Sequence, residues 1–190
     1  MGHLACFAGG NFMLGGAYLK RSDILELGKE LVETCRRTYE ATATRIGPEY
    51  WRWEPAGHIS AFTAESEWHQ HQHQQTGWWV VDARWMLRPE TVESYFYAYR
   101  ITGDKKYQSW AWDAYTAFVA ASRADHGYAE VQDVTHPPGE SNRADKQESF
   151  WGAETLKYLY LIFCDDSVAS LDQFVFSTGQ SPRKCVIIGS

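Results

Sequence analysis

From Ser22 onward the apolar positions fall at Ile24, Leu27, Leu31, Cys35 and Tyr39, a spacing of three, four, four and four. That rhythm keeps them on one side of an α-helix. Asp23 followed by Glu26 has the residue types of a capping-box start, and Gly47-Pro48 closes the region. A second helix is predicted from Pro89, a favoured first-turn residue, through Val92, Tyr95, Phe96 and Tyr99 to a stop at Gly103. Asp104 is predicted to cap a third, running through Tyr107, Ala111, Ala114, Phe118 and Ala121. The connection from Ile101 to Asp104 is so short that these two helices should be antiparallel neighbours. A fourth helix is predicted from about Asp145 to Phe163, with Phe150, Ala153, Leu156, Tyr160 and Phe163 on one side. Short strand candidates are Trp78 to Val81 and Phe174 to Ser177. The pattern is that of an all-helical protein built from helical hairpins, without a sequence repeat.

Two stretches read as loops or insertions. The one from Gly127 to Arg143 carries Pro137-Pro138-Gly139. The other, from Trp53 to Thr76, is polar and contains His69-Gln70-His71-Gln72-His73-Gln74-Gln75. On a strand, His69, His71 and His73 would share one face and could hold a metal ion. A polar, low-complexity surface loop accounts for the same residues.

Composition narrows the class. The chain has 190 residues, the length of one domain. Its mean hydropathy is −0.45, and no apolar run approaches the ~20 residues a membrane helix needs. Eighteen basic against 24 acidic residues leave a net charge of −6, which would repel nucleic acid or an anionic membrane. Aromatic residues make up 15% of the chain, far from the composition of a disordered polypeptide. Trp and Tyr at this density suit either a core or the apolar faces of sugar rings. Met1 to Phe7 has neither a basic nor an apolar leader segment, so no targeting signal is visible. The four cysteines, Cys6, Cys35, Cys164 and Cys185, form no C-x-x-C pair and allow three disulfide pairings. A bridge between Cys6 and Cys35 would close a loop of about 30 residues, worth roughly 3–4 kcal/mol.

Candidate chemistry lies in three acidic groups. Arg88-Pro89-Glu90-Thr91-Val92-Glu93 puts two carboxylates on one face of a first helical turn. Acidic residues are favoured there in any case. Glu49 opens another segment after Gly47-Pro48. In Glu148-Ser149-Phe150-Trp151-Gly152-Ala153-Glu154, a ring and a carboxylate four residues apart share a helix face, as a sugar subsite needs. Carboxylates on neighbouring helices would suit glycoside hydrolysis, one activating water and another protonating the leaving oxygen.

At these residues the chain resembles the class I α1,2-mannosidases, glycoside hydrolase family 47. His3-Leu4-Ala5-Cys6-Phe7 with Gly9-Gly10 and Leu14-Gly15-Gly16 looks like the family's H-L-x-C-F motif and its glycine-rich sequel. Leu87 to Ser94 is its most specific signature, and Tyr99 to Asp104 with Tyr107 continues the match. Glu148-Ser149-Phe150 with Ala153 to Tyr160, and Val175-Phe176-Ser177-Thr178, follow in the same order.

The resemblance implies part of an (αα)7 barrel, with short β-hairpins, over residues 1–182, and an atypical tail over 183–190. It implies removal of terminal α1,2-linked mannose from high-mannose N-glycans, with inversion and a bound Ca²⁺. Glu90 matches the family's candidate general base and Glu49 a second pocket carboxylate. His3, Arg88, Glu93, Phe150 and Glu154 match residues lining the −1 sugar subsite. Thr178 matches the Ca²⁺ ligand, and Cys6 and Cys35 match the family's disulfide. The implied setting is the secretory pathway, in the ER or Golgi, or secretion.

The chain also departs from the family pattern. The implied catalytic acid, a further essential Asp and any membrane anchor would lie before His3. Gly179 stands where the family has Glu, and Arg183 to Ser190 has no counterpart. A partial sequence, inactive by itself, is therefore expected. A non-catalytic, lectin-like glycan-binding protein of the same fold is the alternative.

Overall fold

The computed structural model of the chain describes residues 1–54, 67–176 and 182–184. A 3₁₀ turn, His3–Cys6, leads into helices α1 (Phe7–Leu19) and α2 (Ser22–Glu40). Strand β1 (Tyr50–Trp53), helix α3 (Glu67–Thr76) and strand β2 (Trp78–Asp82) follow. Helices α4 (Glu90–Thr102) and α5 (Lys106–Ser122) form the next hairpin. A π-helical turn, Trp151–Thr155, runs into α6 (Leu156–Leu161), and the two-residue strands β3 (Phe174–Val175) and β4 (Arg183–Lys184) pair antiparallel. Among the described residues no helix is long and apolar enough to cross a membrane.

Helix α1 has no amphipathic rhythm and was not predicted. It is apolar on most sides and rich in glycine, a poor helix former. Packing explains both traits. A Cβ on Gly9 would lie 2.7 Å from a Val32 methyl, and one on Gly28 would lie 2.7 Å from the Met13 amide nitrogen. The two helices therefore meet glycine against glycine, which lets their backbones approach closely. Lys20, in the left-handed region at φ 55°, ends α1, and the Arg21 amide donates back to the Gly16 carbonyl at 2.8 Å.

Helix α2 buries Cys35 and Tyr39 as its stripe predicts, but Leu27 of the same stripe is 45% exposed, and Gly28 and Val32 are buried against α1 instead. The capping box does not form, because the Asp23 carboxylate takes the Arg21 guanidinium and Glu26 takes Lys29. The α4–α5 hairpin follows the prediction closely. Gly103 adopts φ 68°, and Asp104 Oδ1 accepts from the Lys106 amide at 2.9 Å. The core lies between α4, α5 and the turn before α6. Trp85 stacks on Phe118 at 4.2 Å, and Trp151 meets both edge-on.

Three expectations need correction. The fourth helix starts near Phe150 rather than Asp145, because the preceding segment pairs elsewhere. Ala144 N donates to Glu130 O, and Glu130 N donates to Lys146 O, both at 2.9 Å. The stretch from Trp53 to Thr76 is not one loop: Trp53 ends β1, and Glu67–Thr76 is helical. His69, His71 and His73 thus lie on a helix, where residues two apart point to different sides and the shared strand face is lost. The strand after Ser170 covers Phe174–Val175; Ser177 lies outside the described residues.

Candidate functional site

The site is built where the segment before α4 meets the turns that start α1 and α6. Leu87 sits at φ 60°, a strained conformation for a branched side chain, immediately before Arg88-Pro89-Glu90. Its carbonyl accepts a 2.6 Å bond from Thr155 Oγ1, from the last residue of the π-helical turn. That turn also carries Glu154, which is buried. Insertions of this kind inside helices recur at functional sites.

Glu90 begins α4 and is 8% exposed. Its Oε2 lies 3.1 Å from His3 Nδ1, and its Oε1 lies 3.8 Å from an Arg88 nitrogen. Burial alone would raise its pKa. The hydrogen bond and electrostatic attraction of His3, then a backbone hydrogen bond and last the Arg88 charge, together outweigh burial and hold the carboxyl below its ordinary value. Glu49 lies just before β1, where its amide donates to Arg84 O and its carbonyl accepts from His3 N, both at 2.8 Å. Its two oxygens take Arg88 Nε at 2.7 and 2.8 Å, a paired contact that raises the Arg88 pKa.

Glu93 and Glu154 behave in the opposite way. Burial pushes Glu93 up to about 7; the Tyr158 hydroxyl opposes the shift, and the charges of Glu154 and Glu90 add to it. Burial likewise raises Glu154, with Lys157 opposing and Glu90 reinforcing. One site thus holds a carboxylate kept ionised and two carboxyls kept closer to neutral. That division gives the site one group that accepts hydrogen bonds and two that can also donate them.

The structure therefore brings Glu49, Arg88, Glu90, Glu93 and Glu154 together. Phe150 caps the π-helical turn and packs half-buried against the core. His3 has no exposed surface, and its Nδ1 meets Glu90 Oε2. Cys6 and Cys35 are joined, with Cα atoms 6.0 Å apart. Thr178, the expected Ca²⁺ ligand, lies outside the described residues. Among the described residues no three His, Cys, Asp or Glu side chains gather as a metal cluster. The implied donors, a hydroxyl and a carbonyl oxygen of one Thr with water, are hard oxygens of the kind Ca²⁺ takes.

Sequence reasoning placed Tyr39 only as a core residue. Its hydroxyl lies 2.7 Å from His3 Nε2. Thr155, Tyr158 and Lys157 were also missed as neighbours of the carboxylates. Only the A-E-T-L-K-Y run beside Glu154 pointed towards them.

The family model described as Glycosyl hydrolase family 47 matches residues 1–182. A Mannosyl-oligosaccharide alpha-1,2-mannosidase of Coccidioides posadasii (strain RMSCC 757 / Silveira) is 44% identical over 189 residues, covering 96% of this chain and 35% of the relative. Another, of Penicillium citrinum, is 38% identical over 185 residues, covering 95% and 35%. The solved structure of alpha-1,2-mannosidase from Trichoderma reesei is similar with a TM-score of 0.90 at 40% identity, over 97% of this chain and 39% of that one. The chain spans about a third of the length of the curated relatives it matches.

Proposed function

The chain belongs to glycosyl hydrolase family 47, and from that premise we propose that its residues form the base side of a pocket that removes terminal α1,2-linked mannose from high-mannose N-glycans with inversion. The observation that carries this reading is Glu90: a buried carboxylate, hydrogen-bonded by His3 and kept ionised beside Arg88. An inverting reaction needs such a group to take a proton from the attacking water. Glu90 fills that role. Glu49 fixes the Arg88 guanidinium, which in turn holds charge beside Glu90. Glu93 and Glu154, with raised pKa values, donate to and accept from sugar hydroxyls, and Phe150 covers a C–H face of the ring. Thr178 would hold Ca²⁺, and the ion would supply oxygen coordination for sugar hydroxyls and water.

The acid that protonates the leaving oxygen is assigned to no residue of this chain, so the 190-residue polypeptide by itself does not turn over. The Cys6–Cys35 bridge suits an oxidising compartment, in keeping with the secretory pathway.

The test has two arms. Mannose release from a high-mannose glycan is measured for these residues embedded in a complete family barrel, wild type against Glu90→Gln. The variant is expected to lose on the order of 10²- to 10⁴-fold in rate, the usual contribution of a general base. Unchanged turnover would remove Glu90 from the mechanism. The 190-residue chain, assayed alone, is expected to release no mannose.

A further inference from the structure

His3 sits between two polar partners on different elements. Its Nδ1 faces Glu90 Oε2 at 3.1 Å and its Nε2 faces the Tyr39 hydroxyl at 2.7 Å. An ionised carboxylate only accepts hydrogen bonds, so Nδ1 carries the proton that meets Glu90. In the neutral form of the ring, which has one N–H, Nε2 is left as an acceptor. The Tyr39 hydroxyl then donates to it. The other hydroxyl near Nε2, Thr91 Oγ1, stands at 3.5 Å, at the far limit for a hydrogen bond.

We propose that Tyr39 is a positioning residue for the base: by donating to His3 Nε2 it keeps the ring proton on Nδ1 and aims that proton at Glu90. The proposal rests on the reading of Glu90 as the base. Three elements meet at this chain of bonds, with Tyr39 near the end of α2, His3 in the first turn and Glu90 at the start of α4. Tyr39 is 1% exposed, and its ring lies edge-on to Phe118 at 6.2 Å, so the hydroxyl has little freedom to swing away. The Cys6–Cys35 bridge fastens the same two elements one helical turn from each partner, Cys6 after His3 and Cys35 before Tyr39. Ser94 Oγ adds a second fastening, donating to Cys6 O at 2.6 Å and accepting from Gly10 N at 2.9 Å. Outer partners that fix a histidine's tautomer and orientation commonly carry 10- to 100-fold of activity at metal sites. The same logic applies to a histidine that orients a carboxylate.

The test is ¹⁵N NMR of the histidine-labelled 190-residue chain at neutral pH. His3 is expected to show a protonated, pyrrole-type Nδ1 and an unprotonated, pyridine-type Nε2. Tyr39→Phe is expected to shift the Nε2 resonance downfield, towards that of an unbonded nitrogen. A His3 ring protonated at Nε2, alone or together with Nδ1, overturns the proposal. Should Tyr39→Phe not fold, the wild-type tautomer still decides the matter. Nitrogen resonances report the chain of bonds and mannose release reports the base, so the two readings can fail separately.

Discussion

Thr155 Oγ1 donates to the Leu87 carbonyl at 2.6 Å, and that bond ties the turn carrying Glu154 to the segment carrying Arg88 and Glu90. Both residues are fully buried. Thr155→Val keeps the shape but leaves the Leu87 carbonyl without this donor. A buried acceptor stripped of its partner costs about 1–3 kcal/mol. Urea denaturation should show a lower midpoint at an unchanged slope. A midpoint equal to that of the wild type would mean that Leu87 holds its left-handed conformation without this bond.

The raised Glu93 carboxyl makes a pH-dependent prediction whose sign follows from linkage. Its folded pKa of about 7 lies above its ordinary 4.5, because burial disfavours the charged form. The folded state therefore prefers the protonated acid. The contribution is fully present below about pH 4.5 and is lost as pH rises through 7. Glu93→Gln removes the penalty of ionising a buried group. Relative to wild type, the variant should gain stability at pH 8 and show little gain at pH 5. The difference is on the order of 1–2 kcal/mol once the partial exposure of the residue is allowed for. Thermal melts of both proteins across this range are the measurement, and parallel curves would show that Glu93 does not titrate there. Such a gain would mark Glu93 as a residue that costs stability where the site needs a carboxyl.

Much of this arrangement was legible in the sequence, for physical reasons that can be named. Tyr107, Ala111, Ala114, Phe118 and Ala121 form a clean helical stripe, and Gly103-Asp104 supplies both the stop and the next start. Periodicity and turn chemistry agree there, so α5 and its hairpin were predictable. Helix α1 was not, because its glycines disfavour a helix locally and make sense only against Val32 and Met13 of the packed pair. Arg88, Glu90 and Glu93 stand together in sequence, so their shared first turn could be read directly. Glu49 comes 39 residues before Arg88, and nothing local reveals that their side chains form a paired contact. Tyr39 shows the same limit at finer grain. Its position on the α2 stripe was read correctly as core, yet the use of its hydroxyl depends on His3 arriving from another element. Thr178 was read by resemblance alone and lies outside the described residues.

The disulfide is expected to matter more for the site than its place on the first two elements suggests. Cys6 and Cys35 are 29 residues apart, and a loop of that length is stabilised by roughly 3–4 kcal/mol in the chain-entropy model. Replacing both by Ala should lower the melting temperature. It should also loosen the contact between His3 and Tyr39, since each sits one turn from a bridged cysteine. The melt reads the first effect, and broadening of the His3 side-chain resonances reads the second. A double variant that melts at a lower temperature with His3 resonances unchanged would limit the bridge to global stability.

The outer side of α5 and α6 leads to the last prediction. Trp112, Tyr115, Leu156, Leu159, Tyr160 and Phe163 line an open groove of about 380 Å³. Trp112 is 55% exposed, Tyr160 70% and Phe163 48%, and the Trp112 and Phe163 rings meet edge-on at 6.2 Å. Each ring in contact with water carries an unfavourable hydration term of about 25 cal/mol per Å² of apolar surface. Contiguous apolar surface of this kind promotes association. The 190-residue chain should therefore self-associate with rising concentration and bind a hydrophobic dye. Trp112→Gln with Phe163→Ser removes two of the exposed rings without touching the carboxylate pocket. Light scattering and dye fluorescence should both fall in the double variant, while the His3 resonances stay in place. Association that persists unchanged in the variant would move the sticky surface elsewhere, and the exposed side chains Leu4, of the first turn, and Phe7, Tyr18 and Leu19, of α1, would be the next to replace.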